Sequence, residues 1–213
     1  MLRSKTSIKS KFNKVFSYVY FFTDFLSFPL RKKIIDQISH LKNKKVLDIC
    51  CGTGINSLIL SEKGANVIGI DLSKNQIFLA NKRKAKDKKL KLRFKLMDAE
   101  NLEFKNNAFD MAICSFGLHE VGTLFTFKKV IKEMKRVVRL KGRMIIADYN
   151  KPKNNFISFV LYKIASLFEP QETLKEIFLL SLSKFSQKYH LKPIKEKIYL
   201  FNLLKLWIFE NIN

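Results

Sequence analysis

Val46-Leu47-Asp48-Ile49-Cys50-Cys51-Gly52-Thr53-Gly54 reads as an apolar strand that runs straight into a tight glycine turn. A helical pattern starts directly afterwards at Ile55. Gly52 and Gly54 put no side chain in the way, so a ligand can lie against the backbone there. The first turn of the following helix aims free N–H groups at that ligand. Asp71 ends the next apolar run, close to the roughly 20-residue spacing at which a second-strand carboxylate meets ribose hydroxyls. Together these features predict an adenosine-containing cofactor.

The turn also restricts which cofactor. A dinucleotide fingerprint needs a third glycine, G-x-G-x-x-G, and here the run is Gly52-Thr53-Gly54-Ile55-Asn56-Ser57. A phosphate-binding loop would need Gly-Lys-Ser/Thr after a longer gap, and none follows. Asp48 would repel a pyrophosphate but suits a cation, such as the amino-acid part of S-adenosylmethionine. These residues resemble motif I of the class I S-adenosylmethionine-dependent methyltransferases. That resemblance implies a Rossmann-like, doubly wound α/β fold. Its sheet would have seven mostly parallel strands, helices on both faces and an antiparallel C-terminal hairpin.

Around this motif, strands and helices alternate. Lys44–Ile49, Asn66–Asp71, Leu92–Leu96, Phe109–Ser115 and Arg143–Tyr149 read as strands. Ile55–Glu62, Lys74–Lys86 and Leu124–Arg139 read as helices. Such alternation predicts a parallel sheet covered on both faces. Its ligands belong at the carboxyl ends of the strands, where Asp48, Asp71, Asp98, Ser115 and Asp148 all fall. Residues 1–43 form a basic, aromatic lead-in, with Val15, Tyr18, Val19, Phe22, Phe25 and Leu26 at helical spacing. That stripe suits a helix that covers the core, or a lid over the cofactor. After Pro152 the pattern changes to two apolar helical stretches, Phe156–Phe168 and Thr173–Phe185. Lys195–Asn202 and Leu204–Glu210 then read as a hairpin. The expected organisation is a single domain over 1–213, with a lid at 1–43, a cofactor core at 44–150 and an acceptor side at 151–213.

At 213 residues and 47% hydrophobic content the chain can bury a substantial core. Its formal net charge of +23 suits an anionic partner, either nucleic acid or a membrane surface. A solvated Lys-rich surface gives the same number, and with abundant Ile, Asn and Phe it matches AT-rich coding. No apolar run approaches the ~18 residues of a membrane span. The N-terminal pattern does not predict a secretory signal. Cys50, Cys51 and Cys114 have neither zinc spacing nor a disulfide framework. They read as small buried side chains in a reducing compartment, and no metal is expected. The chain therefore reads as cytoplasmic, with peripheral contact at the inner face of an anionic membrane as the further option.

The later motifs narrow the resemblance. Asp98-Ala99 follows the third strand, where a carboxylate can accept from the adenine amine and the Ala99 N–H can pair with a ring nitrogen. Cys114-Ser115-Phe116-Gly117-Leu118 follows the fourth strand. Lys141-Gly142 reads as a tight helix-to-strand turn, with Gly142 at the left-handed cap position. Asp-x-Cys-Cys-Gly-Thr-Gly, Cys-Ser-Phe-Gly-Leu and Gly-Arg-x-x-x-x-Asp-Tyr-x-Lys-Pro together resemble the ubiquinone/menaquinone biosynthesis C-methyltransferases. The likeness runs over residues 12–153. His119-Glu120 stands where that family usually has Arg-Asn, and Ile55 where it usually has Asp.

The resemblance implies cofactor contacts from Asp48, Cys50, Gly52, Gly54, Asp71, Leu72, Asp98, Ala99 and Ser115. His119, whose imidazole titrates near neutrality, is the candidate base that would ionise a quinol-type acceptor. Tyr149 and Asp148 are candidates to touch that acceptor. Three other functions compete. A phospholipid amine N-methyltransferase would share the amphipathic lead-in and need no base. An RNA methyltransferase would use the charge, but the fourth strand lacks an Asn/Asp-Pro-Pro-Tyr-type loop and no RNA-binding module is appended. A non-catalytic S-adenosylmethionine-binding protein would keep the cofactor motifs alone.

Overall fold

The computed structural model describes residues 27–87, 89–121, 123–150, 160, 181–200 and 202–212. The lead-in stripe at Val15–Leu26 and the helical stretch Phe156–Phe168, apart from Val160, lie outside these residues, as does most of Thr173–Phe185.

Helix α1 covers residues 27–35. Strand β1 (Lys45–Ile49) leads through the glycine turn into α2 (Ile55–Glu62), β2 (Asn66–Asp71), α3 (Lys74–Lys84) and β3 (Leu92–Leu96). Then come β4 (Phe109–Ser115), a short 3-10 turn at Leu118–Glu120, α4 (Leu124–Val137) and β5 (Val138–Tyr149). Helix α5 (Leu182–Tyr189) and strands β6 (Leu191–Tyr199) and β7 (Leu204–Asn211) complete the described elements.

The seven strands form one sheet in the order β3-β2-β1-β4-β5-β7-β6. Strands β1 to β5 pair in parallel, and β7 lies antiparallel between β5 and β6. This is the expected doubly wound sheet with its antiparallel hairpin. The strand order reverses at β1 and β4. A crevice therefore opens beyond their carboxyl ends, and it holds the candidate site.

Apolar clusters cover both faces. Phe127, Val130, Ile131 and Met134 of α4 pack with Phe185 of α5 and Trp207 and Phe209 of β7. These α4 positions recur at three and four residues, the signature of a one-sided helix. Ile34 and Ile35 of α1 pack on the other face with Ile59 and Leu60 of α2 and Leu206 and Ile208 of β7.

Several boundaries differ from the sequence reading. Helix α4 stops at Val137 and β5 begins at once, because the β-branched pair Val137-Val138 favours extended backbone. The left-handed residue in the turn is Lys141 (φ 58°), not Gly142. Gly142 is needed for space instead. A Cβ there would stand 2.7 Å from the backbone oxygens of both Arg139 and Asp110. Strand β6 starts at Leu191, four residues ahead of the expected Lys195, with a break in register between Pro193 and Lys195.

Candidate cofactor and acceptor site

The glycine turn builds a polar wall. Cys50 (φ 55°), Gly52 (φ 54°) and Gly54 (φ 81°) all turn left-handed, so the chain folds back on itself beyond β1. The Gly52 N–H donates to Asp71 Oδ2 at 2.9 Å, and the Ser73 N–H donates to Asp71 Oδ1 at 2.8 Å. Burial raises the Asp71 carboxyl above its ordinary range, opposed by these backbone donors and by the Leu72 N–H. Leu72 itself is exposed beside it. Open space surrounds Gly52, where an added Cβ would meet nothing within 4 Å. Gly54 has no such space, since a Cβ there would strike the Phe94 ring.

Asp48 is fully buried at the end of β1. Its Oδ2 accepts from the Ser57 hydroxyl at 2.6 Å, and its Oδ1 has no hydrogen-bond partner among the described residues. Burial is the main influence on its carboxyl and pushes it up to about 7, against the Ser57 hydrogen bond and the nearby Arg31 guanidinium. A buried carboxylate oxygen without a donor calls for a cation or N–H from a ligand. The open cradle at Gly52 and the orphaned oxygen of Asp48 thus fit the aminoacyl end and the ribose of S-adenosylmethionine.

Flanking residues hold this wall. The Arg83 guanidinium reaches across from α3 to the Thr53 carbonyl and hydroxyl. Arg31 of α1 lies over the Phe116 ring, 5.0 Å from its centroid. The Met97 N–H donates to the Asp71 carbonyl at 3.0 Å, so the loop after β3 stays on the end of β2. In that loop Asp98 Oδ1 accepts from the Glu100 N–H at 2.9 Å, and Ala99 is half-buried. Ser115 is buried at the end of β4. The Phe116 N–H donates to the Ala147 carbonyl at 2.8 Å, continuing the β4–β5 register into the loop.

The other side of the crevice holds a buried polar network. His119 is 2% exposed, and its Nδ1 lies 2.7 Å from Asp148 Oδ1. The Tyr149 N–H donates to the same oxygen at 2.7 Å, and the Leu118 N–H donates to Oδ2 at 3.1 Å. Asp148 is therefore surrounded by donors and fixes the ring. An Nδ1–H pointed at a carboxylate leaves the lone pair on Nε2, the arrangement of a general base. Nε2 is 3.8 Å from Glu120 Oε1. The Tyr149 ring packs against the imidazole with centroids 4.8 Å apart.

The crevice thus brings the cofactor candidates Asp48, Cys50, Gly52, Gly54, Asp71 and Leu72 together around the β1 and β2 ends. Asp98 and Ala99 stand beside them, and Ser115, His119 and Tyr149 lie across β4 and β5. Sequence reading missed three supports. Ser57 occupies the place of the absent third glycine and clamps Asp48. Arg83 secures the turn from thirty residues away. The His119–Asp148 bond joins two residues that the sequence offers only as separate candidates. The signal for Ser57 was present, because a hydroxyl at a glycine position one helical turn past the motif can reach back.

Comparison with known proteins agrees with this geometry. Residues 46–142 match a family described as "Methyltransferase domain". A SAM-dependent methyltransferase from Methanosarcina mazei superposes with a TM-score of 0.69 at 20% identity, covering 84% of this chain and 97% of that one. The fold is the one that structure shows, and the matched stretch carries the glycine turn, Asp71 and the loops after β3 and β4. Among particular proteins, the chain is similar to demethylmenaquinone methyltransferases. It is 32% identical to that of Paenarthrobacter aurescens over 57% of this chain and 45% of that protein. It is 28% identical to that of Staphylococcus aureus over 81% of this chain and 74% of that protein. The chain spans about half the length of the first of these relatives.

Proposed function

We propose that this methyltransferase alkylates a ring carbon of a small quinol with a lipid-like tail. The observation that carries the reading is the buried His119–Asp148 pair, set across the crevice from the cofactor wall. An amine acceptor brings its own lone pair and needs no such base. A phenolic ring becomes a strong carbon nucleophile only once its hydroxyl is ionised, which calls for a positioned base. The relatives named as demethylmenaquinone methyltransferases support the same acceptor class.

The cofactor, when bound, supplies an electrophilic methyl group on a sulfonium centre. Asp48 would hold its ammonium group, and the backbone of Cys50, Gly52 and Gly54 would carry its aminoacyl arm. Asp71 would accept from the ribose hydroxyls while Leu72 packs beside them. Asp98 and Ala99 would pair with the adenine edge, and Ser115 would line the floor. His119 Nε2 would take the phenol proton, and Asp148 would hold the resulting imidazolium in place. Tyr149 would stack along the acceptor ring. Alignment and exclusion of water account for most of what remains for the protein to do.

Helix α1 supports a covering role for residues 1–43, because Arg31 reaches the loop beside the crevice. The division into lid, core and acceptor side within one domain is part of this proposal. No helix among the described residues is long and apolar enough to cross a membrane. A cytoplasmic enzyme that touches an anionic bilayer through its +23 charge would collect a lipid-like acceptor there.

The test is transfer of labelled methyl from S-adenosylmethionine to a short-tailed demethylnaphthoquinol, with the product located by mass spectrometry. A C-methylated ring that disappears with His119→Asn is expected. Methylation of phosphoethanolamine lipids instead, unaffected by that substitution, would overturn the carbon-acceptor reading.

A further inference from the structure

Lys205 is a charged residue inside a continuous apolar strand, Leu203-Leu204-Lys205-Leu206-Trp207-Ile208-Phe209. It is 2% exposed. In the β5–β7 register it stands directly opposite Asp148, which is also fully buried. Partners opposite each other across adjacent strands share a face of the sheet, so the ammonium and the carboxylate that holds His119 lie on the same side. The Nζ sits 3.9 Å from the centroid of the Trp207 ring. The Trp207 indole N–H in turn donates to Glu196 Oε1 of β6 at 2.7 Å. Burial pulls the Lys205 ammonium down to about 8, while Asp148 and then Glu196 push it back up.

A core position of this kind is filled at lower cost by leucine or methionine, because an ammonium must be stripped of water to enter it. Keeping the charge makes physical sense where it acts on another group. We propose that Lys205 is a positioning residue for methyl transfer: its ammonium offsets the charge of Asp148, so that His119 remains a neutral base near pH 7. This rests on His119 being the base of the proposed reaction. Among the described residues, the groups facing the pair are His119 and Glu120 on the 3-10 turn, Tyr149 on β5, Cys114 on β4 and Glu196 on β6. The Cys50 hydrogen bond and then burial push the Cys114 thiol well above its ordinary range. Glu120 and Asp148 both favour a protonated imidazole, and Lys205 opposes them.

The sign of the effect follows directly. Removing the ammonium strengthens the negative field of Asp148 at the ring, and a stronger field from a neighbouring carboxylate makes imidazole easier to protonate. The test is a titration of isotope-labelled histidine in the full chain by NMR, which needs no acceptor. His119 is assigned by its loss in His119→Asn, and His40 and His190 serve as internal controls. In Lys205→Met the His119 midpoint should rise by roughly one pH unit, and in Lys205→Arg it should return to the wild-type position. With an acceptor in hand, Lys205→Met should lower kcat at pH 7 by about tenfold with KM unchanged, and the loss should vanish as the pH is raised. A folded Lys205→Met whose His119 midpoint does not move overturns the proposal.

Should Lys205→Met fail to fold, the wild type carries the test. The labelled lysine signal of Lys205 should titrate in the same step as a second shift of His119, and titration of either without the other overturns the coupling. If His119 moves as expected but no quinol is methylated, only the acceptor assignment falls.

Discussion

The two sides of the crevice hold their carboxylates in different ways. Asp71 is held by N–H groups two and nineteen residues away, and Asp48 by a hydroxyl nine residues away. Asp148 answers instead to His119, twenty-nine residues upstream, and it stands opposite Lys205 only because β7 inserts beside β5. The cofactor side is thus written into one short stretch of chain and its backbone. The His119 side exists only once the sheet is assembled. A ligand-binding turn can be specified locally, whereas a buried polar network needs the register of distant strands.

The sharpest way to break this contrast is at His119. His119→Ala should reduce kcat by roughly 10²–10⁴-fold, the usual contribution of a positioned base, while calorimetry finds cofactor affinity unchanged. An equal loss of cofactor affinity would mean that the two sides are one unit. Asp71→Ala is the converse experiment. It removes the acceptor of the Gly52 and Ser73 N–H groups and should weaken cofactor binding by roughly 10–100-fold, as expected for one or two hydrogen bonds to a charged group. Titration calorimetry with S-adenosylhomocysteine measures this, and unchanged affinity would remove Asp71 from the cofactor site.

A smaller effect concerns pH. The folded-state value of Asp48 is about 7, raised from 3.8 by burial, so the carboxyl is largely neutral below pH 7 and ionised above it. A cationic ligand favours the ionised form. Cofactor affinity should therefore tighten by about tenfold between pH 6 and pH 8, and Asp48→Asn should flatten the dependence. Stability of the cofactor-free chain runs the other way. A raised folded-state value contributes fully below about pH 4, and that contribution is lost as the pH rises through 7. Chemical denaturation of wild type and Asp48→Asn across this range checks the sign.

The smallest change tests the bend at Lys141-Gly142 within β5. Gly142→Ala would press a methyl group on the Arg139 and Asp110 carbonyls and should cost about 1–3 kcal/mol. Thermal unfolding reads this loss, with cofactor affinity per folded molecule unchanged.

The same contrast explains what could be read in advance. The β1 turn, Asp71 and the alternation of strands and helices are patterns of neighbours, so the sheet and the glycine turn are legible in the sequence. His119 and Asp148 were each visible as candidates, but nothing in the chain announced their bond. Lys205 went unremarked because a lone lysine in a tail hairpin looks like a solvent-facing residue. Its burial follows from β7 being an interior strand with neighbours on both edges. Gly142 was misjudged for a related reason. The turn does need a left-handed residue, but space beside Asp110, set by the packing of β4 on β5, decides where the glycine goes.

The position of β7 has a consequence for how the chain is made. Strands β2 to β5 emerge from the ribosome in an order that lets each find a neighbour already present. Strand β6 does not, because its sole partner in the sheet, β7, follows it. A nascent chain that has reached Tyr199 holds every residue that closes the glycine turn on Asp71. It still carries β5 with an open edge and β6 adrift, a pairing hazard for any passing strand.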